Sequence, residues 1–158
     1  NLRDTIEWKG AKTETFKYIN KQLETCQDRS LSVILCDLPN IGKTYTARWY
    51  VNEHRNAVYI DCSQVKTKRA LVKKIAMEFG VGTTSKYQDT YEDLIYYLRS
   101  MERPLVVLDE AGDLQYQAHI HLMAYGRFVN RDRIKLCLMQ EELFNCHLFR
   151  NDAVWITF

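Results

Sequence analysis

The sequence predicts an α/β domain, a central parallel sheet flanked by helices, and three observations carry that expectation. Short apolar runs of strand character alternate with helical patterns from the N-terminal region to about residue 110. One run leads into a loop that ends Gly42-Lys43-Thr44, the close of the phosphate-binding pattern G-x-x-x-x-G-K-[ST]. Another ends in two adjacent carboxylates, Asp109 and Glu110.

Each element follows from spacing. Phe16, Ile19 and Leu23 mark one face of a helix within an N-terminal lead-in over 1–29. Leu31–Cys36 is a buried strand, closed by the breakers Pro39 and Gly42, with a helix expected from about Gly42. Ala57–Cys62 is a second strand. Leu71, Val72, Ile75 and Phe79 then mark a helix ended by Gly80 and Gly82. Tyr91, Leu94, Ile95 and Leu98 give the i, i+3, i+4, i+7 stripe of another. Leu105–Leu108, launched by Pro104, is a third strand. Strands alternating with helices of this length imply right-handed crossovers and a sheet covered on both faces. Beyond Tyr116 the pattern weakens, and 117–158 has no settled assignment. Asp132–Phe144 fits either one helix or a strand followed by a helix, and Ala153–Phe158 reads as a strand.

Bulk composition narrows the function classes. A chain of 158 residues, 46% hydrophobic and 27% charged, suits one globular domain, 1–158. A formal charge of +2 demands no nucleic-acid partner, so any basic footprint is local. Cys26, Cys36, Cys62, Cys137 and Cys146 have no CxxC spacing, which argues against a zinc site or disulfide framework and for a reducing cytoplasm. No apolar run approaches the ~20 residues of a membrane helix, and no signal peptide is expected. Beginning at Asn1 without a methionine, the sequence reads as a piece of something longer.

The chemistry gathers on two strand ends. A phosphate loop needs backbone N–H groups and a helix N-terminus aimed at the anion. Asp37, Leu38, Pro39, Asn40, Ile41, Gly42, Lys43, Thr44 and Tyr45 form the expected nucleotide cradle. In it Lys43 would meet the β and γ phosphates, and Thr44 would offer its hydroxyl to Mg²⁺. Asp109, delivered by its strand beside that loop, would share the Mg²⁺ shell, and Glu110 would orient and deprotonate a water attacking ATP.

These motifs resemble the additional-strand branch of P-loop ATPases, the AAA+ proteins. IGKTYTARWY, VYIDCSQVKTKRALVKKIAMEFGV and PLVVLDEAGDL are similar to the MuB-like and TnsC-like ATPases of DNA transposition. The resemblance covers roughly Phe16 to Leu114. It implies an ATPase that uses ATP and Mg²⁺, forms homo-oligomeric filaments on double-stranded DNA without sequence preference, and recruits or activates a transposase. Other outcomes remain open: a nucleotide-binding scaffold without turnover, or another P-loop regulator of NACHT-like or initiator-like type. Tyr125–Arg131 is similar to the AAA+ segment that carries an arginine finger, with Arg127 as the expected catalytic arginine and Arg131 as runner-up.

The chain departs from that pattern in three places. An AAA+ core needs a helix and a further strand between the carboxylates and the arginine finger, and 111–125 has no strand-like run. Residues missing from about 116–131 are therefore expected, leaving the polar sensor residue of that strand unnamed. The helical lid is expected to be reduced or missing. Asp37 and Asn40 stand where related loops carry glycines; both residue types tolerate positive φ, so the loop should keep its shape. On that basis Asp37→Gly should tighten nucleotide binding modestly.

Lys66, Lys68, Arg69 and Lys73, with Lys74, cluster in one stretch and form the expected DNA-backbone contact, or else a solvated helix face. The four histidines lack metal-ligand company.

Overall fold

The computed structural model describes residues 10–29, 33–36, 40–111, 135–140 and 154–157. The chain runs α1 (Glu14–Arg29), β1 (Val33–Cys36), α2 (Lys43–Glu53), β2 (Ala57–Asp61), α3 (Lys68–Glu78), α4 (Tyr87–Ser100), β3 (Leu105–Asp109), β4 (Lys135–Gln140) and β5 (Val154–Thr157). The strands form one sheet in the order β2-β3-β4-β1-β5, and every pairing is parallel. The predicted α/β architecture is the one observed.

Strand alternation assigns the two faces of the sheet. Leu105 and Val107 of β3, with Ala57 of β2, pack against Ile19 and Leu23 of α1 and Ala47 and Tyr50 of α2. Val106 and Leu108, with Val58 and Ile60, pack against Leu71, Val72 and Ile75 of α3 and Leu94 and Leu98 of α4. The positions on α1, α3 and α4 are ones that the sequence spacing singled out; Ala47 and Tyr50 of α2 are not. Thr67 caps α3 by accepting from the Ala70 amide at 3.2 Å, which fixes where that helix starts.

A further strand follows the carboxylates, while 112–134 lie outside the described residues. The slot between β3 and β1 is not open: β4 fills it, with Val107 opposite Cys137 on one side and Val33 opposite Cys137 on the other. Backbone groups of β1 and β3 are thus paired across β4. The sequence suggested a gap because the strand was sought upstream of Arg127, whereas β4 begins at Lys135, after both Arg127 and Arg131. Of the span Asp132–Phe144, Lys135–Gln140 is a strand, and the rest lies outside the described residues.

Gln27 ties the opposite end of the sheet together. Its amide nitrogen donates to the carbonyls of Arg55 and Arg103, each at 2.9 Å, and its amide oxygen accepts from the Tyr50 hydroxyl at 2.6 Å. Those carbonyls precede β2 and β3, so this buried amide joins α1 and α2 to the strand starts, away from the strand ends where the chemistry gathers.

Candidate nucleotide site

The site is built where β1 and β3 end and α2 begins. Asn40 (φ 64°) and Gly42 (φ 93°) both take left-handed backbone. At Gly42 an added Cβ would meet nothing within 4 Å, so the backbone conformation, not crowding, is what favours glycine there. Asn40 adopts the positive φ expected of a glycine substitute. Asp37, Leu38 and Pro39 lie outside the described residues. α2 starts immediately after this turn, directing its first amides at the space in front of the loop.

Lys43 is only 7% exposed despite its charge, while Thr44 stands at the surface of the same turn. A cleft of about 780 Å³, lined by Asn40, Lys43, Thr44, Tyr45, Arg48 and Glu110 among others, opens in front of them. That volume lies within the range of small-molecule sites, ~300–1,000 Å³. The aromatic rings of Tyr45 and Trp49 flank Phe16 of α1, with centroids 6.2 and 5.0 Å from it, and form an apolar edge to the cleft.

The decisive contact joins the two motifs. Thr44 Oγ1 donates to Asp109 Oδ2 at 2.6 Å. The alternation that buries Leu105 and Val107 against α1 and α2 carries Asp109 to the same face, where it is 3% exposed. Asp109 Oδ2 also accepts from the Tyr59 hydroxyl at 2.6 Å, and Oδ1 accepts from the Glu110 amide at 3.1 Å. Burial, reinforced by the hydrogen bond to and the charge of Asp109, pushes the Tyr59 hydroxyl well above the ordinary tyrosine value, against the opposing effect of Arg48. The Arg48 side chain lies over the Tyr59 ring, 5.0 Å from its centroid. Glu110 takes a left-handed backbone, φ 51°, as β3 ends.

A threonine hydroxyl beside a carboxylate is a hard-oxygen donor set suited to Mg²⁺. Because the Thr44 proton is directed at Asp109, the remaining lone pairs of its oxygen are available to a cation. The residues present therefore fit a Mg²⁺-nucleotide.

A family profile described as AAA domain matches residues 26–145. The chain belongs to the AAA-domain family. No curated protein matches it by sequence. The AAA domain is similar in structure to the Orc1 protein of Aeropyrum pernix in complex with DNA, at 19% identity and a TM-score of 0.74, covering 99% of this chain and 47% of that one. It is similar to Cdc6p from Pyrobaculum aerophilum at 14% identity and a TM-score of 0.68, covering 98% and 47%. The Orc2 protein of Aeropyrum pernix, in ADPNP–ADP complexes, matches at 12% identity and a TM-score of 0.69, covering 100% and 50%. The chain thus spans about half the length of these structures, and likeness at such identities establishes the shared fold.

Other sequence-predicted residues fall elsewhere. Arg127 and Arg131 lie outside the described residues, on the connection between β3 and β4. The basic cluster sits around α3, apart from the cleft. Lys66, Arg69 and Lys73 are exposed. Lys68 packs over the Tyr87 ring at 4.9 Å, Arg69 donates to the Ser85 carbonyl, and Lys74 pairs with Glu78 at 2.8 Å. Much of this charge is therefore already engaged within the domain.

Sequence reasoning gave no role to Tyr59, Arg48 or Gln140. Gln140 closes β4, opposite Cys36, the last residue of β1. Register was the missing signal for Tyr59: Asp61 pairs with Asp109, so Tyr59 is the diagonal neighbour of Asp109 on the same face. No described helix is long and apolar enough to cross a membrane.

Proposed function

We propose that this AAA domain is a DNA-associated ATPase switch: ATP binding favours assembly of copies on double-stranded DNA, and hydrolysis reverses it. The observation that carries the proposal is the 2.6 Å hydrogen bond from Thr44 to Asp109, which unites the phosphate-loop and carboxylate motifs at one cleft. Lys43 binds the β and γ phosphates, and the first amides of α2 hold the same anion. Thr44 and Asp109 hold the Mg²⁺ ion, which supplies charge neutralisation across the phosphates. Glu110 orients the attacking water and accepts its proton. Gln140, at the end of the strand between β1 and β3, takes the polar sensor position.

The catalytic arginine comes in trans from a neighbouring copy, making turnover depend on assembly. Arg127 is one candidate. Arg150 is a second, favoured by the order of elements: the resemblance puts this arginine after the added strand, and Arg150 follows β4 and precedes β5. Lys66, Lys68, Arg69 and Lys73 contact the DNA backbone.

The partner is a transposase, supported by the similarity of DEAGDL and the Tyr59–Cys62 segment to the MuB-like and TnsC-like ATPases. A second reading, an initiator-like ATPase without a transposase, is favoured by the structural likeness to the Orc1 protein in complex with DNA.

The test is ATP hydrolysis by the wild type, Lys43→Ala and Glu110→Gln over a range of protein concentrations, with and without duplex DNA. Wild-type turnover should rise with both, Lys43→Ala should lose nucleotide binding, and Glu110→Gln should bind without turnover and trap the assembly. Turnover independent of DNA and concentration would overturn the switch. Binding without turnover under every condition would select a scaffold. Stimulation by a transposase of the MuB-associated or TnsC-associated type separates the two partner readings.

A further inference from the structure

We infer that Tyr59, held by Arg48, is a positioning residue that orients the Asp109 carboxylate for the divalent cation of the bound nucleotide. The inference rests on the nucleotide-site reading above and assigns a determinant of metal affinity outside the two sequence motifs.

The geometry begins with register. Tyr59 sits on β2 opposite Val107, and Asp61 sits opposite Asp109. Residues two apart on a strand share a face, so the Tyr59 side chain starts one strand and two positions away from Asp109. A diagonal offset of that size, ~7–8 Å, is within reach of a long aromatic side chain but not of a serine or threonine. The phenol crosses it and donates to Oδ2 at 2.6 Å.

The carboxylate's acceptor capacity then decides what remains. A carboxylate offers about four lone-pair positions. On Oδ2, Thr44 and Tyr59 take both. On Oδ1, the Glu110 amide takes one. Among the described residues nothing takes the other position on Oδ1, so Asp109 meets the cation or its water shell through that single oxygen. Without the phenol, the carboxylate keeps only Thr44 and one amide as anchors and can rotate about its terminal torsion, which is intrinsically broad.

Arg48 completes the arrangement from the helix side. It follows Thr44 by one turn of α2, and its guanidinium covers the Tyr59 ring. One helix therefore supplies both the hydroxyl that bonds Asp109 and the cation that restrains the ring bonding the same oxygen. Arg48 also lines the cleft that contains Lys43 and Glu110.

The test separates metal binding from nucleotide binding. A fluorescent ADP analogue is titrated into the full chain in EDTA, and then at fixed nucleotide with increasing Mg²⁺, for the wild type, Tyr59→Phe, Arg48→Met, Asp109→Asn and the Tyr59→Phe/Asp109→Asn double variant. Tyr59→Phe keeps the ring and its packing and removes only the donor. Its affinity in EDTA should match the wild type, while the half-saturating Mg²⁺ concentration should rise about ten-fold, the lower end of what loss of a ligand's outer hydrogen-bond partner costs. Arg48→Met should shift it the same way by less. In the Asp109→Asn background, Tyr59→Phe should add nothing, because it acts through that carboxylate.

An unchanged Mg²⁺ dependence in Tyr59→Phe, beside a normal wild-type response, overturns this inference and leaves the nucleotide site standing. Equal weakening with and without Mg²⁺, or a lowered thermal midpoint in the metal-free protein with no Mg²⁺ effect, assigns Tyr59 to packing and also overturns it. A wild type that binds no nucleotide in either condition overturns both.

Discussion

Glu110 holds the left-handed backbone, φ 51°, that side-chain-bearing residues adopt at a cost of roughly 1–2 kcal/mol. Strain of this kind persists where surrounding structure imposes it, and here the Asp109 carboxylate accepts the Glu110 amide in that conformation. Asparagine tolerates the region better, so Glu110→Asn should raise unfolding free energy by about 0.5–1 kcal/mol while abolishing hydrolysis and sparing nucleotide binding. Urea denaturation beside a turnover assay checks this; a loss of stability would place the strain elsewhere. The place of Glu110 at a strand end was legible, because an apolar run stops at the paired carboxylates. Its backbone was not, since nothing in DEAG demands left-handed geometry at the second position. Asn40 was legible in both respects. Gln27 was legible in neither: a glutamine in an amphipathic helix reads as solvated, yet it is 8% exposed because three partners from distant segments converge on it.

Among the elements, β1, β2 and β3 were legible because each is a short apolar run bounded by breakers. α1, α3 and α4 were legible because their buried positions recur with helical spacing. β4 was not, because Ile134–Met139 continues into an acidic and apolar stretch that satisfies either period, and only pairing with two strands from the other end of the sequence decides it. Between α3 and α4, burial, with a smaller contribution from Tyr91, pushes the Tyr87 hydroxyl up to about 12, while Lys68 covers its ring. A folded value above the unfolded one means that the native state retains the proton more tightly. Its contribution to stability is complete below about pH 10, the ordinary tyrosine value, and is lost as pH rises through about 12. Tyr87→Phe should flatten part of the fall in urea midpoint between pH 9 and 12; Tyr59 and Tyr91, also raised, should sustain the rest. On the surface of the same pair of elements, Lys66→Ala/Lys73→Ala should lower DNA affinity at low salt and reduce the slope of log affinity against log salt by about 2, as each phosphate contact contributes about 0.9. An unchanged slope would make this a solvated helix face.

For the molecule as a whole, the parallel sheet separates function from assembly. The candidate nucleotide cleft lies at the strand ends, and the Gln27 hydrogen bonds lie at the strand starts. Gln27→Leu should therefore cost about 2–3 kcal/mol, from buried groups left without partners, and leave nucleotide affinity unchanged; denaturant midpoints and binding titrations read the two effects separately. The sheet order has a further consequence, for synthesis. β1 carries the phosphate loop, yet its two neighbours, β4 and β5, leave the ribosome about a hundred residues after it, with Val33 opposite Cys137 and Val154. β2 and β3, by contrast, pair with each other as soon as the region up to Asp109 has emerged. The nascent chain thus acquires its carboxylate strand early while the cradle strand waits with both edges bare, an order that lengthens loop closure and exposes pairing surface to other chains. A nucleotide bound at that candidate cradle would reward folding only after that last pairing, as a late seal on the domain and not as a seed for it.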